Sequence, residues 1–481
     1  MKLNILTKIK VTGISLAALS ILSINAHAQE KIGLQRAVTL ALERNLTIKQ
    51  AQFNEALTNE DLKQSRYNLL PSVSANPQGS LNFGRSVDPS TNQFTNQRVF
   101  GLSGSVNAQV VLFQGGQLRN QIIQNKILLE ADRTNTAKVK NDLTLNVVTT
   151  YLSVLTNQDL VTAAIQQIDI AKLTLDRAQK NFNAGNQTLA DLSQAKAQLS
   201  TAELNLTNAQ NQLELSVLTL KQYMEMAPGT EIEIERPDVS KLAIQTKYNA
   251  EEVFKTALNV NPDVRLAEIR RDGFKQAIQI ARGAYYPSLV LFGSAGTNYS
   301  DARSLLSGYG PTGKDEITGY LNGDLSQPVT MPGIAPITSK YPFSRQISDN
   351  FNQSVGLTLQ IPIFNRFTTR TAVRKAKITY ENAEVTAQLA KNNLSKIIYQ
   401  AVWDVQAAEK RLQSTSQTYE ANKEAYNVIL QRYNVGLVNS LDLNTSLTNL
   451  NKAQFDMIEA KYQLVFRSKV IDYYLGNPIT L

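Results

Sequence analysis

The 481-residue chain has no cysteine and one histidine, His27. Without cysteine there is no disulfide framework, thiol nucleophile, thiolate metal ligand or lipid-bearing N-terminal cysteine. His27 lies in a segment that reads as a removable export signal, so the mature chain also lacks the commonest general base. Ser-Lys or carboxylate chemistry stays open by composition, but no local motif carries it. Nothing resembles a phosphate-binding loop either. No catalytic, cofactor-binding or metal-ligating residue can be nominated, and no enzyme activity or cofactor is expected. Long apolar runs are missing too: none after the signal reaches the roughly 18 residues of a membrane helix. What is left is an exported soluble protein, or a β-barrel, whose strands are only half apolar.

The beginning supplies the export signal. MKLNILTKIK has three lysines and no acid, VTGISLAALSIL is apolar, and Ala26-His27-Ala28 is a small-x-small cleavage site. Cleavage is expected after Ala28, giving a 1–28 signal. Losing Lys2, Lys8 and Lys10 lowers the formal charge from +9 to about +6. Such an excess reads as solvated surface and points to no nucleic acid.

The mature chain repeats itself. At an offset of 216, Ala41, Leu42, Asn45, Ala51, Arg66, Pro71 and Ser72 meet Ala257, Leu258, Asn261, Ala267, Arg282, Pro287 and Ser288. At 251, Ser103, Gln109 and Phe113 meet Ser354, Gln360 and Phe364, and the match runs on to Tyr223 and Tyr474. The change of offset puts one large insertion in the second copy, in a Gly-, Pro-, Ser- and Asn-rich region of loop composition, about 299–352. The organisation expected is a first repeat over 29–226, a linker over 227–250 and a second repeat over 251–481.

Each repeat opens with a helical segment, followed by strands. In GLSGSVNAQVVLF, Leu102, Val106, Ala108, Val110 and Leu112 share a face, with Ser103, Ser105, Asn107 and Gln109 opposite. QSVGLTLQIPIF places Val355, Leu357, Leu359, Ile361 and Ile363 against Ser354, Thr358 and Gln360. Such alternation suits a membrane strand between lipid and water, or a half-buried soluble strand.

Glycine and proline are then absent from 117 to 184 and from 363 to 435. Apolar residues recur in threes and fours, predicting helices of about 100 Å at 1.5 Å per residue. Return helices are expected over about 186–227 and 437–475. Between the helices lie KNFNAGNQTLADLS and QRYNVGLVNSLDLN. Gly185 and Gly436 suit left-handed C-caps, beside Asn183 and Asn434. Thr188 with Asp191, and Asn439 with Asp442, resemble capping boxes in which Asp replaces Glu. Both aspartates can be helix-start chemistry alone.

The signal, the duplicated strand-loop-strand plus long hairpin, and the aromatic-Asn-x-Gly turn followed by Asp-Leu together resemble the TolC family of outer-membrane efflux proteins. The resemblance spans essentially the whole mature chain. RYNVG with Asp442-Leu443, echoed by FNAG with Asp191-Leu192, carries it most specifically. It implies a mixed α and β fold: four strands from each copy of a homotrimer close a 12-stranded barrel in outer-membrane lipid, and helical hairpins continue as a periplasmic α-barrel. The linker and the start of the mature chain would form a belt. Tyr67, Tyr285, Tyr286, Phe113 and Phe364 would be an aromatic girdle or ordinary packing. Asp442 matches the family's constriction aspartate, with Asp191 its first-repeat counterpart, and Tyr433 a tyrosine that latches the closed state. Thr445 and Val438 stand where some members carry a second acid and a basic residue, so neither a double acidic ring nor an arginine latch is expected. The implied function is a passive exit duct of a tripartite pump or type I secretion system. A periplasmic adapter and an inner-membrane transporter of RND, ABC or MFS type would dock at the hairpin tips. The rival readings are an exported trimeric coiled-coil adhesin and a periplasmic enzyme on a helical scaffold.

Overall fold

The architecture is described for residues 30–87, 94–96, 98–237 and 245–477 in a computed structural model. The expected signal, and residues 238–244 of the expected linker, lie outside the described residues. The first half of the chain runs β1 (Glu30–Ile32), α1 (Leu34–Arg44), α2 (Leu46–Tyr67), β2 (Ser72–Asn82), β3 (Arg85–Val87), β4 (Phe94–Asn96), β5 (Val99–Gln114), α3 (Gln117–Asn183) and α4 (Leu189–Tyr223). The second runs β6 (Ile232–Ile234), α5 (Ala250–Val260), α6 (Pro262–Gly283), β7 (Ser288–Ser300), β8 (Ser304–Tyr320), β9 (Pro328–Lys340), α7 (Phe343–Asp349), β10 (Asn352–Gln360), α8 (Thr368–Asn434) and α9 (Ser440–Leu475). Helices α3 and α8 are each 67 residues long; their starts (117 and 368) and their ends (183 and 434) are both 251 apart.

The initial helical segments are each broken in two. Asn45 (φ −58°, ψ 130°) and Asn261 (φ −67°, ψ 120°) have non-helical backbone torsions there. Asn45 Oδ1 accepts the Thr47 N–H at 2.9 Å, and Asn261 Oδ1 accepts those of Asp263 and Val264 at 3.0 and 3.2 Å. Each asparagine ends one helix and caps the next.

The chain divides into two compact units. In the unit of Glu60–Lys126 and Gly273–Tyr380, four antiparallel strands lie in the order β10-β7-β5-β2. Register sorts the side chains by face. Val73, Ala108, Gly293 and Val355 form one row across all four strands, and Ser74, Asn107, Ser294 and Ser354 form the next, on the opposite face. One face is therefore apolar and the other hydroxyl- and amide-bearing. Val73, Val355, Leu357 and Leu359 are exposed. The outer edges of β2 and β10 have no strand partner among the described residues.

Three sequence expectations change here. A bulge between Val111 and Phe113 resets the alternation, so Phe113 rather than Leu112 joins Leu289 and Leu359 in the apolar row. Ile361 and Ile363 lie beyond β10, which ends at Gln360, just before the donor-less Pro362. The expected loop over 299–352 is an ordered β8–β9 hairpin followed by α7. Its prolines sit in a two-stranded ribbon, where outward N–H groups go unused, and register shifts absorb the rest. Gln346, fully buried, fastens the base: Oε1 accepts the Ser300 N–H, and Nε2 donates to the Ser300 and Tyr341 carbonyls, all at 3.0 Å. The five aromatics Tyr67, Phe113, Tyr285, Tyr286 and Phe364 are all exposed near strand ends.

The helical unit comprises the described residues up to Asn59, Ile127–Asp272 and Glu381 onward. Its largest core packs Val147, Tyr151 and Leu155 of α3 against Ile32, Leu40, Leu220, Met224 and Val465. Strands β1 and β6 pair in parallel and close this core. The Tyr151 hydroxyl reaches the carbonyls of Glu235 (2.7 Å) and Ile32 (3.2 Å), tying both segments to α3. Burial, with the charge of Glu235 nearby, pushes its pKa up to about 12. Tyr151→Phe leaves those carbonyls without this donor, which costs about 1–3 kcal/mol. Faster proteolysis around residues 232–237 is the expected result, and unchanged cleavage contradicts it.

Candidate gate at the helical turns

Two hairpin turns of the helical unit carry the expected gate residues. Gly185 and Gly436 have φ of 77° and 78°. After α3, Asn186 N–H donates to the Asn181 carbonyl at 2.9 Å and Gly185 N–H to that of Phe182 at 3.0 Å. After α8, Leu437 N–H donates to Arg432 (2.9 Å) and Gly436 N–H to Tyr433 (3.0 Å). This paired pattern is the Schellman motif, with glycine at the left-handed position. An added Cβ meets nothing within 4 Å at either glycine, so the demand is torsional rather than steric. Gly436→Ala is therefore expected to cost about 1–2 kcal/mol, seen as easier protease nicking at the turn without loss of assembly.

The two aspartates differ in what their carboxylates do. Thr188 and Asp191 form a complete capping box: Asp191 N–H donates to Thr188 Oγ1 (3.2 Å), and Thr188 N–H to Asp191 Oδ2 (3.0 Å). Thr188 Oγ1 also donates to Oδ2 at 2.8 Å, while Ser440 Oγ, from the other turn, donates to Oδ1. These bonds, that of Ser440 first, hold the Asp191 carboxyl below its ordinary range. At the second turn Asn439 Oδ1 accepts the Asp442 N–H at 2.8 Å, so asparagine supplies the cap. The exposed Asp442 carboxylate has no protein partner among the described residues.

Three contacts clasp the turns together. Besides Ser440–Asp191, Gln187 Nε2 donates to Tyr433 Oη at 2.6 Å, and Arg177 Nη1 to Asn434 Oδ1 at 3.1 Å. Asn183 Oδ1 instead accepts from Gln179 of its own helix, at 3.0 Å. Tyr433 also packs against a small core of Tyr426, Leu443 and Leu447. The sequence reading names Tyr433, Asn434 and Asp191 but misses Gln187, Ser440 and Arg177. At the 251 offset these face Val438, Leu189 and Val428, so self-comparison registers only divergence there. Among the described residues no group of His, Asp or Glu could hold a metal ion.

Because Asp191 has a lowered pKa, its contribution to the clasp is complete above the ordinary carboxylate range and is lost as pH falls through the lowered value. The clasp is expected to hold near pH 5 and to loosen only below about pH 4, read as conductance against pH. Loosening already complete at pH 6 would contradict this.

A sheet with one apolar and one hydroxylated face, and clasped helical hairpins ending in capped turns, are the parts of an outer-membrane duct. The model of the outer membrane efflux protein family matches residues 37–224 and 253–477, and the chain belongs to that family. Its members are channels rather than enzymes. The chain is 19% identical to the outer membrane efflux protein BepC of Brucella suis, covering 90% of this chain and 82% of that one. It is 21% identical to the outer membrane protein TolC of Salmonella enteritidis, covering 78% and 69%. The fold matches the outer membrane protein VceC of Vibrio cholerae with a TM-score of 0.72 at 16% identity, over 93% of this chain and 97% of that one.

Proposed function

We propose that three copies of this chain form the outer-membrane exit duct of an efflux or secretion assembly. The observation that carries this reading is the four-stranded sheet whose two edges have no strand partner among the described residues. Open strand edges are not tolerated in lipid, and three such sheets joined edge to edge make a closed 12-stranded barrel. In this reading residues 1–28 are the export signal, 29–226 and 251–481 the two structural repeats, and 227–250 part of a belt around the helices. The exposed aromatics near the strand ends fit a girdle at the membrane interface.

The hairpin turns would form the inner mouth, closed by the clasp and ringed by three free Asp442 carboxylates. Such a ring repels anions and holds cations. A periplasmic adapter and an inner-membrane transporter would dock at the tips and supply the energy, while the duct conducts passively. The direct test is recovery in the outer-membrane fraction after salt and urea washes, followed by conductance in planar bilayers. Release by those washes would favour the coiled-coil adhesin instead.

A further inference from the structure

The strands β2, β5, β7 and β10 contain no Asp, Glu, Lys or Arg on either face. Charged side chains are what make a pore wall select ions, and this sheet offers none. Its polar face presents only neutral hydroxyl and amide groups, which both donate and accept hydrogen bonds.

One residue on that face is out of keeping with the rest. Phe292 lies in a row with Ser72, Gln109 and Gly356, next to the row of Ser74, Asn107, Ser294 and Ser354. It is 38% exposed. Its ring reaches across β10 over Gly356, where an added Cβ would stand 2.7 Å from Cζ. An aromatic covering an edge-strand glycine stabilises a sheet, which accounts for where the ring lies. It does not account for the surroundings. The exposed Gln109 amide flanks the ring on one side and has no partner among the described residues. The Ser294–Ser354 hydroxyl pair, 2.8 Å apart, lies one row away, and Thr358 lies one row away in the other direction.

We infer that, resting on the duct reading above, this face lines the barrel and Phe292, with Gln109 and Thr358, binds a neutral sugar unit of the cargo in transit. The C–H face of a pyranose ring covers the phenyl face, and its hydroxyls exchange hydrogen bonds with the amide and hydroxyl groups around it. A charged group loses hydration at this wall with no opposite charge to replace it, so an uncharged cargo is favoured. Three copies set three such rings around one lumen. Several weak sites in sequence bind well enough to admit a chain of sugar units and weakly enough to release it.

The test is equilibrium binding of maltohexaose to the full-length protein, purified as its native assembly in a detergent without a sugar headgroup and followed by titration calorimetry. Phe292→Leu still covers Gly356 but has no flat face, and is expected to weaken binding roughly tenfold. Phe292→Tyr keeps the ring and is expected to bind like the parent. A sulfated maltohexaose is expected to bind about tenfold more weakly than the neutral sugar. A stable trimer that takes up no maltohexaose, or whose Phe292→Leu variant binds it equally well, overturns the sugar site and leaves the duct reading intact. Equal or tighter binding of the sulfated sugar overturns the preference for uncharged cargo. A native monomer overturns the site and the duct together.

Discussion

Replacing Tyr433 with Phe and Ser440 with Ala in the same chain is expected to raise the resting conductance of the reconstituted duct by orders of magnitude. The first change removes the acceptor for Gln187 Nε2, and the second removes the donor to Asp191 Oδ1. Two hydrogen bonds, one to a carboxylate, are worth at least about 2 kcal/mol together. In the proposed trimer, three copies opening as a unit would lose about 6 kcal/mol of closed-state preference, or about ten-thousandfold in the equilibrium. Both helix caps survive, because neither the Thr188–Asp191 box nor the Asn439 cap uses the deleted groups. Trimer yield is therefore expected to stay normal while small-antibiotic leak rises. Unchanged conductance in an intact trimer would remove the clasp from the gate.

Asp442→Ala is expected to weaken block by a multivalent cation, such as hexaamminecobalt, by about a hundredfold. Three exposed carboxylates facing one cation contribute about 1 kcal/mol each in a high-dielectric mouth, about 3 kcal/mol in all. The helix start is preserved, since Asn439 accepts the backbone N–H of residue 442 whatever its side chain. Asp191→Ala has the opposite profile: its carboxylate is committed to Thr188 and Ser440, so its loss raises leak and leaves block nearly unaltered. In the proposed gate, two aspartates at equivalent repeat positions thus act separately, Asp191 as a latch and Asp442 in a ring. Unchanged block in the Asp191→Ala, Asp442→Ala double variant contradicts the ring.

Much of this was legible in the residues. Glycine-free runs delimit α3 and α8 closely, because one left-handed turn stops each helix. The matched Asn45 and Asn261 mark real helix breaks, yet periodicity on both sides of them reads as one continuous segment. Alternation identifies β5 and β10 but counts through the bulge at Leu112, since a bulge is a property of pairing and not of one strand. The β8–β9 hairpin hides in loop composition, because a two-stranded ribbon tolerates proline and glycine that a central strand would reject. The clasp was least legible. It joins Gln187 to Tyr433 and Asp191 to Ser440, positions that are not equivalent in the repeat, so no periodicity points to it.

The most direct test of the shared barrel is the native mass of protein extracted with detergent from the outer-membrane fraction. The expected result is a detergent-dependent species of three chains, each close to 53.2 kDa before signal removal. A monomer, or a protein soluble without detergent, would leave the edges of β2 and β10 unexplained and contradict the account.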